Sequence, residues 1–128
     1  RIQMMDKRQS RLDYILEKIP ESEQIVKHSE GDFCIVSWGS TQGPILDTIE
    51  MLKNEGINIG FVEIKLLHPF PKELLKKSLS NSKTIIDIEA NYTGQLGSLI
   101  RQNLELYDTL KKIVNDTAEK REVLTYGA

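Results

Sequence analysis

Two short segments of this 128-residue sequence combine residue types that could hold or process a small ligand. The first, Trp38-Gly39-Ser40-Thr41-Gln42-Gly43, places small residues, hydroxyls and free backbone N–H groups ahead of an apolar periodic stretch, the makings of an anion site at a helix N-terminus. It lacks the Gly-Lys-Ser/Thr ending of a P-loop and the third glycine of a dinucleotide fingerprint. It therefore also reads as a tight turn, with Thr41 as the N-cap of the following helix. The second segment is Glu89-Ala90-Asn91-Tyr92-Thr93-Gly94-Gln95. Asp87 and Glu89 fall on one face of an otherwise apolar strand, and a carboxylate entering a buried sheet must find a partner, lose its charge or sit at the rim. Glu89, at the strand's end, sits most simply at the rim, accepting backbone N–H bonds or meeting another chain. No histidine, lysine or cysteine lies nearby in sequence to complete an acid–base set, so a structural or interface use outweighs catalysis.

The remaining reactive side chains are isolated. Cys34, the single cysteine, lies within Phe33-Cys34-Ile35-Val36 and reads as a buried, inert thiol; one cysteine can neither close an internal disulfide nor hold an iron–sulfur cluster. His28, in a polar stretch, reads as solvated, and His68 as capping or packing at a turn; the two have no metal-ligand spacing. Lys76-Lys77 and Lys111-Lys112 read as solvated helix faces, and Trp38 as core or interface.

The elements that must position these residues follow from periodicity. Met5, Leu12, Ile15, Leu16 and Ile19 form a one-face helical pattern that Pro20 ends. Pro20 to Glu30 is polar and reads as a connector. Asp32 to Trp38 is a nearly unbroken apolar run, suited to a strand covered on both faces. A helix follows with Ile45, Ile49 and Leu52 on one face, Pro44 in its first turn and Gly56 as its stop. Ile57 to Leu66 reads as a second strand, with Val62, Ile64 and Leu66 on one face. It runs into His68-Pro69-Phe70-Pro71, where two prolines forbid both ladder pairing and helix. Phe70, held between two fixed φ angles, is expected to pack against the body of the domain, and Pro71 suits N1 of a short helix bearing Leu74, Leu75 and Leu79. Thr84 to Glu89 is a third strand, Ala90 to Gly94 a loop, and Gln95 to about Leu110 a helix with Leu96, Leu99, Ile100, Leu104 and Tyr107 facing inward. Glu122 to Tyr126 reads as a last strand. Strands alternating with helices indicate crossovers, a mainly parallel sheet and helices on both faces. Ligands then bind beyond the carboxyl ends of the strands, where both loops fall.

Composition narrows the class. With 39% hydrophobic and 28% charged residues, 17 Lys+Arg against 19 Asp+Glu and a net charge of -2, the chain is one globular domain and not a disordered one. The balance argues against a general nucleic-acid surface. No apolar run approaches the roughly 20 residues of a membrane span, and the charged first twenty residues hold no signal-peptide core, so the reading is cytoplasmic. The chain opens at Arg1 without an initiator methionine and reads as a piece of something longer.

Four motifs in order and spacing carry a resemblance: Trp38-Gly39-Ser40-Thr41, Gly56, Leu67-His68-Pro69-Phe70-Pro71, and Glu89-Ala90-Asn91-Tyr92-Thr93-Gly94-Gln95-Leu96. Together they resemble the C-terminal domain of the alpha subunit of 2-oxoacid:ferredoxin oxidoreductases. Met5-Asp6-Lys7-Arg8 and Arg11-Leu12 are similar to that family's linker helix. The chain departs from it at the end, where Leu124-Thr125-Tyr126-Gly127-Ala128 stands in place of a Lys-Tyr-Asp-Gly-Arg-Pro-like continuation. The resemblance implies a transketolase C-terminal-like fold, a three-layer α/β/α sandwich of mostly parallel strands with one antiparallel. It also implies a linker helix and connector over 1–30 and the α/β domain over 31–128.

The parent enzyme so implied uses thiamine diphosphate, Mg²⁺, an iron–sulfur cluster and coenzyme A to oxidise a 2-oxoacid such as pyruvate or 2-oxoglutarate, with ferredoxin taking the electrons. The cofactors sit in other domains, so this segment is expected to be inert alone. Its expected partners are the other alpha-subunit domains and the beta subunit, faced by Gly39, Ser40, Thr41, Glu89, Asn91, Gly94 and Gln95; no nucleic acid and no membrane are expected. An independent anion- or nucleotide-binding α/β module is the alternative.

Overall fold

A computed structural model of the chain describes residues 2–89, 96–117 and 122–127. The elements run α1 (Ile2–Lys18), α2 (Glu21–Gln24), β1 (Ile25–Ser29), β2 (Phe33–Trp38), a 3₁₀ turn (Gly39–Thr41), α3 (Gln42–Asn54), β3 (Ile59–Ile64), α4 (Lys72–Ser78), β4 (Thr84–Glu89), α5 (Leu96–Asp116) and β5 (Val123–Gly127). Among the described residues five strands form one sheet in the order β1-β3-β2-β4-β5. All neighbours pair in parallel except β1, which runs antiparallel to β3. Among the described residues no helix is long and apolar enough to cross a membrane.

Because successive strand residues point to opposite faces, the central strands divide their side chains between two cores. Phe33 and Ile35 of β2, Ile59 and Phe61 of β3, and Ile86 and Ile88 of β4 meet Ile45 and Leu52 of α3 and Leu110 and Ile113 of α5. On the other face Cys34, Val36, Val62 and Ile64 meet Ile25 of β1 and Leu79, with Leu74 and Leu75 of α4 against them. These two packings make the three layers. β2 is buried at every position but the last, which is why it reads as an apolar run rather than an alternation; β3 is buried at all six positions, Glu63 among them.

Four readings of the sequence are corrected here. The stretch from Pro20 to Glu30 is no plain connector, because residues 25–29 form the antiparallel edge strand. His28 is not simply solvated: its Nε2 is hydrogen-bonded to Glu63 Oε1 at 2.9 Å and its ring stacks on Phe61 at 4.9 Å. The inward stripe of α5 is displaced. Leu110 and Ile113 are buried and Leu106, Tyr107 and Val114 pack beside them, whereas Ile100 and Leu104 stand 58% and 53% exposed. Phe70 is 44% exposed and does not pack into the body, while its neighbours Pro69 and Pro71 are buried. Smaller shifts accompany these. Ile15 is exposed on α1, β3 is shorter than Ile57 to Leu66, and Pro71 precedes the first residue of α4. The His68–Pro69 peptide is cis and His68 stands exposed beside it.

Candidate functional site

The register fixes where the strand-end loops fall. Trp38 pairs with Ile64, and Val36 with Asp87, so continuing the second register sets Trp38 level with Glu89, which itself pairs with Gly127. The ends of β3, β2, β4 and β5 thus form one carboxyl edge. From β2 the chain goes through α3 to β3 on one side, then crosses back through α4 to β4 on the other. The crevice between the ends of β2 and β4 is therefore the topological switch point, where open α/β sheets bind their ligands. Gly39, Ser40 and Thr41 stand at one lip, and the end of β4 at Glu89 forms the other. Asn91, Gly94 and Gln95 lie outside the described residues.

The local chemistry of the first lip is committed inward. Gly39 has φ +80°, a left-handed conformation that favours glycine and turns the chain out of β2. Thr41 occupies the N-cap position of α3 but makes no capping bond, and its φ/ψ are already helical. Its buried hydroxyl is instead hydrogen-bonded to that of Ser37 and donates to the Trp38 carbonyl at 3.4 Å. The N-cap reading of Thr41 is thereby corrected, and the hydroxyl is not presented to an anion. Ser37, a polar residue inside an apolar run, was the visible but unread signal of this bond.

Trp38 is 50% exposed, which removes it from the core. Leu67 and Phe70, on the segment leaving β3, and Ile100 and Leu104, on the first turns of α5, are also exposed. All five belong to segments that leave or enter the carboxyl edge. Of the remaining reactive groups, Cys34 is 1% exposed and burial pushes its thiol up to about 11. Among the described residues no group of three or more His, Cys, Asp or Glu is placed to hold a metal ion. Lys111, read as solvated, donates to Glu55 at 3.0 Å, and the Tyr107 hydroxyl donates to the same carboxylate, clasping the end of α3 to α5. The Tyr107 and Lys111 bonds hold the Glu55 carboxyl below its ordinary range.

Two positioning residues escaped the sequence reading. Gln24 is buried, and its side-chain amide donates to the carbonyls of Leu16 at 3.0 Å and Ile19 at 2.8 Å, while its backbone carbonyl accepts from the Lys65 backbone N–H at 2.9 Å. It fixes the end of α1 to the end of β3. Thr48, fully buried, donates to the Pro44 carbonyl at 2.8 Å and is hydrogen-bonded to Asn103, joining the middle of α3 to α5.

Residues 31–121 match the model of the pyruvate:ferredoxin oxidoreductase core domain II. The 2-oxoacid:ferredoxin oxidoreductase 2, subunit alpha, of Aeropyrum pernix is 34% identical across 98% of this chain and 23% of its own length. The 2-oxoacid:ferredoxin oxidoreductase subunit alpha of Saccharolobus solfataricus is 38% identical across 85% of this chain and 18% of its own. The chain thus spans about a fifth of the curated relatives it matches. Among solved structures, 2-oxoglutarate:ferredoxin oxidoreductase from Magnetococcus marinus, with 2-oxoglutarate, coenzyme A and succinyl-CoA bound, has a TM-score of 0.58 and 25% identity over 98% of this chain and 20% of that one. A transketolase from Pichia stipitis, at 17% identity over 77% of this chain and 19% of its own, shares the fold with a TM-score of 0.58.

Proposed function

This chain belongs to the pyruvate:ferredoxin oxidoreductase core domain II family, and on that premise we propose that it is a domain of the alpha subunit of a thiamine-diphosphate-dependent 2-oxoacid:ferredoxin oxidoreductase. The enzyme so proposed is cytoplasmic, oxidises a 2-oxoacid such as pyruvate or 2-oxoglutarate to its acyl-CoA and passes the electrons to ferredoxin. This domain contributes packing and not chemistry. An iron–sulfur cluster needs several thiolates, and the single cysteine is buried with its proton held. The Thr41 hydroxyl is turned inward to Ser37. On this proposal thiamine diphosphate, Mg²⁺ and the cluster belong to other domains and to the beta subunit.

The observation that carries this reading is the exposure of Trp38, Leu67, Phe70, Ile100 and Leu104, all on segments that leave or enter the carboxyl edge. Apolar surface gathered at one end of a domain marks an interaction site. In this proposal Glu89, Asn91 and Gln95, on the segment that follows β4, supply the polar contacts to the neighbouring domain.

The test compares the complete enzyme with the 128-residue chain for Trp38→Ser and for the pair Glu89→Gln and Gln95→Ala. The melting temperature of the chain should hardly move. Co-purification of the partner subunit, or 2-oxoacid-dependent reduction of a viologen dye, should fall about tenfold or more, as expected for residues that anchor an interface. Parallel losses of stability in both proteins, or dye reduction by the chain alone, would reject the assembly role.

A further inference from the structure

Away from the switch point, a concavity joins an apolar floor to a mostly acidic rim. α1, α2 and the turn entering α4 enclose a groove of about 570 Å³. Leu16, Ile19, Phe70 and Leu74 line it, with Asp13, Glu17, Glu21, Glu73 and Lys72; Glu73 is paired with Lys76 at 4.0 Å, and Asp13 accepts from the Gln9 amide at 3.0 Å. The whole chain is nearly balanced, with 17 Lys+Arg to 19 Asp+Glu, so this excess is local. The Glu17 and Glu21 carboxylates make no ion pair among the described residues. Glu17 also stands in the last turn of α1, where the helix dipole disfavours a carboxylate. Helix stability does not account for it.

We propose that this groove receives an extended segment of a partner subunit in which basic and apolar residues alternate. Asp13 and Glu17 are four residues apart on α1 and share a face, with Cβ atoms about 6 Å apart. Side chains two apart on an extended chain point the same way at roughly 6.6 Å. A Lys or Arg at every second position therefore meets successive carboxylates, and the residues between turn onto Leu16, Ile19 and Phe70. From Gln9 to Lys18 the helical rise is about 13–14 Å, room for roughly four extended residues. Phe70 lies both in this groove and in the exposed apolar set of the carboxyl edge, so the groove continues the surface assigned to assembly, and the inference rests on that reading.

The experiment treats the assembled enzyme with a carbodiimide, which couples a carboxylate to a lysine amine in contact with it, and maps the crosslinked peptides by mass spectrometry. Asp13, Glu17 or Glu21 should be joined to a lysine of a partner subunit. In the Glu17→Lys/Glu21→Lys double variant, affinity between the subunits should fall about tenfold at low salt, as two partly screened charge pairs predict, and the loss should shrink at high salt. Both substitutions are on the surface, so the melting temperature should stay within a few degrees. Links confined to lysines of the same polypeptide, or unchanged affinity in the double variant, overturn the groove while leaving the assembly role standing. A subunit that associates with no partner overturns both.

Discussion

Gly31 and Gly60 let two backbone segments touch where the chain turns from β1 into β2. A Cβ on Gly31 would sit 2.7 Å from the Asn58 carbonyl oxygen and 2.9 Å from the Gly60 nitrogen, both rigid backbone atoms. Gly31→Ala should therefore lower the unfolding free energy by about 1–3 kcal/mol, the range for overpacking, measured by urea denaturation. Gly43→Ala is the control, because a Cβ there meets nothing within 4 Å; it lies inside α3 and should be neutral or stabilising. Cys34 supplies a pH test. Its thiol rises from 9.0 to about 11 through burial, beneath the smaller opposing effect of its hydrogen bond with Ser82. Below pH 9 both states hold the proton and the stabilisation is complete. Between pH 9 and 11 the unfolded thiol ionises while the folded one does not, so stability falls with rising pH, by up to about 2–3 kcal/mol. Melting curves should fall more steeply over that window for the parent than for Cys34→Ala; equal slopes would show an accessible thiol.

Gln24 and the phase of α5 decide how the helices sit on the sheet. Gln24→Ala leaves the Leu16 and Ile19 carbonyls without their side-chain donor, and losing the pair should cost about 1–3 kcal/mol. Amides near the end of α1 should then exchange faster than those of β3, and equal protection of α1 in both proteins would contradict this role. On α5, Leu110→Ala should cost about 2–5 kcal/mol because Leu110 is fully buried, whereas Leu104→Ala should stay within roughly 0.5 kcal/mol in the chain itself. The reverse order would mean that the helix is rotated about its axis. The Glu55–Tyr107–Lys111 clasp and the buried Thr48–Asn103 bond hold α5 in the observed phase from two points along α3.

At the scale of the molecule, the segments that leave or enter the carboxyl edge carry five of the eight exposed large apolar side chains among the described residues, with Tyr14, Ile15 and Val123 elsewhere. The two cores close on both faces of the sheet, yet large apolar side chains stay uncovered where the strands end. Phe70 distinguishes a surface built for assembly from one that serves only this fold. Being half-exposed, it contributes about 1 kcal/mol through burial within the chain. Phe70→Ala should therefore leave the melting temperature of the 128-residue chain within a few degrees while lowering dye reduction by the complete enzyme. A loss of 3 kcal/mol or more in the chain would return Phe70 to the core.

Local and periodic features were legible in the sequence because short-range sterics and burial set them. Thr84 to Glu89 appears as a strand with the same bounds. Gly56 ends α3 with φ +82°, the apolar run around Cys34 is a central strand, and the two loops singled out for chemistry do begin at the carboxyl edge. Contacts between distant residues were not legible. β1 carries Lys27 and His28 because it is an edge strand with an irregular register between Lys27 and Ser29, so its alternation is broken and it resembles a connector. Gln24 and Gly31 gain their roles only from the carbonyls and backbone that tertiary packing brings to them. The hydroxyl of Thr41 suits a cap or an anion equally well by residue type, and only the approach of Ser37 decides which bond it makes. The apolar residues of α5 offer two competing stripes, and the choice fell to the sheet. A pattern fixes which residues can face a core, whereas the partner element fixes which of them do.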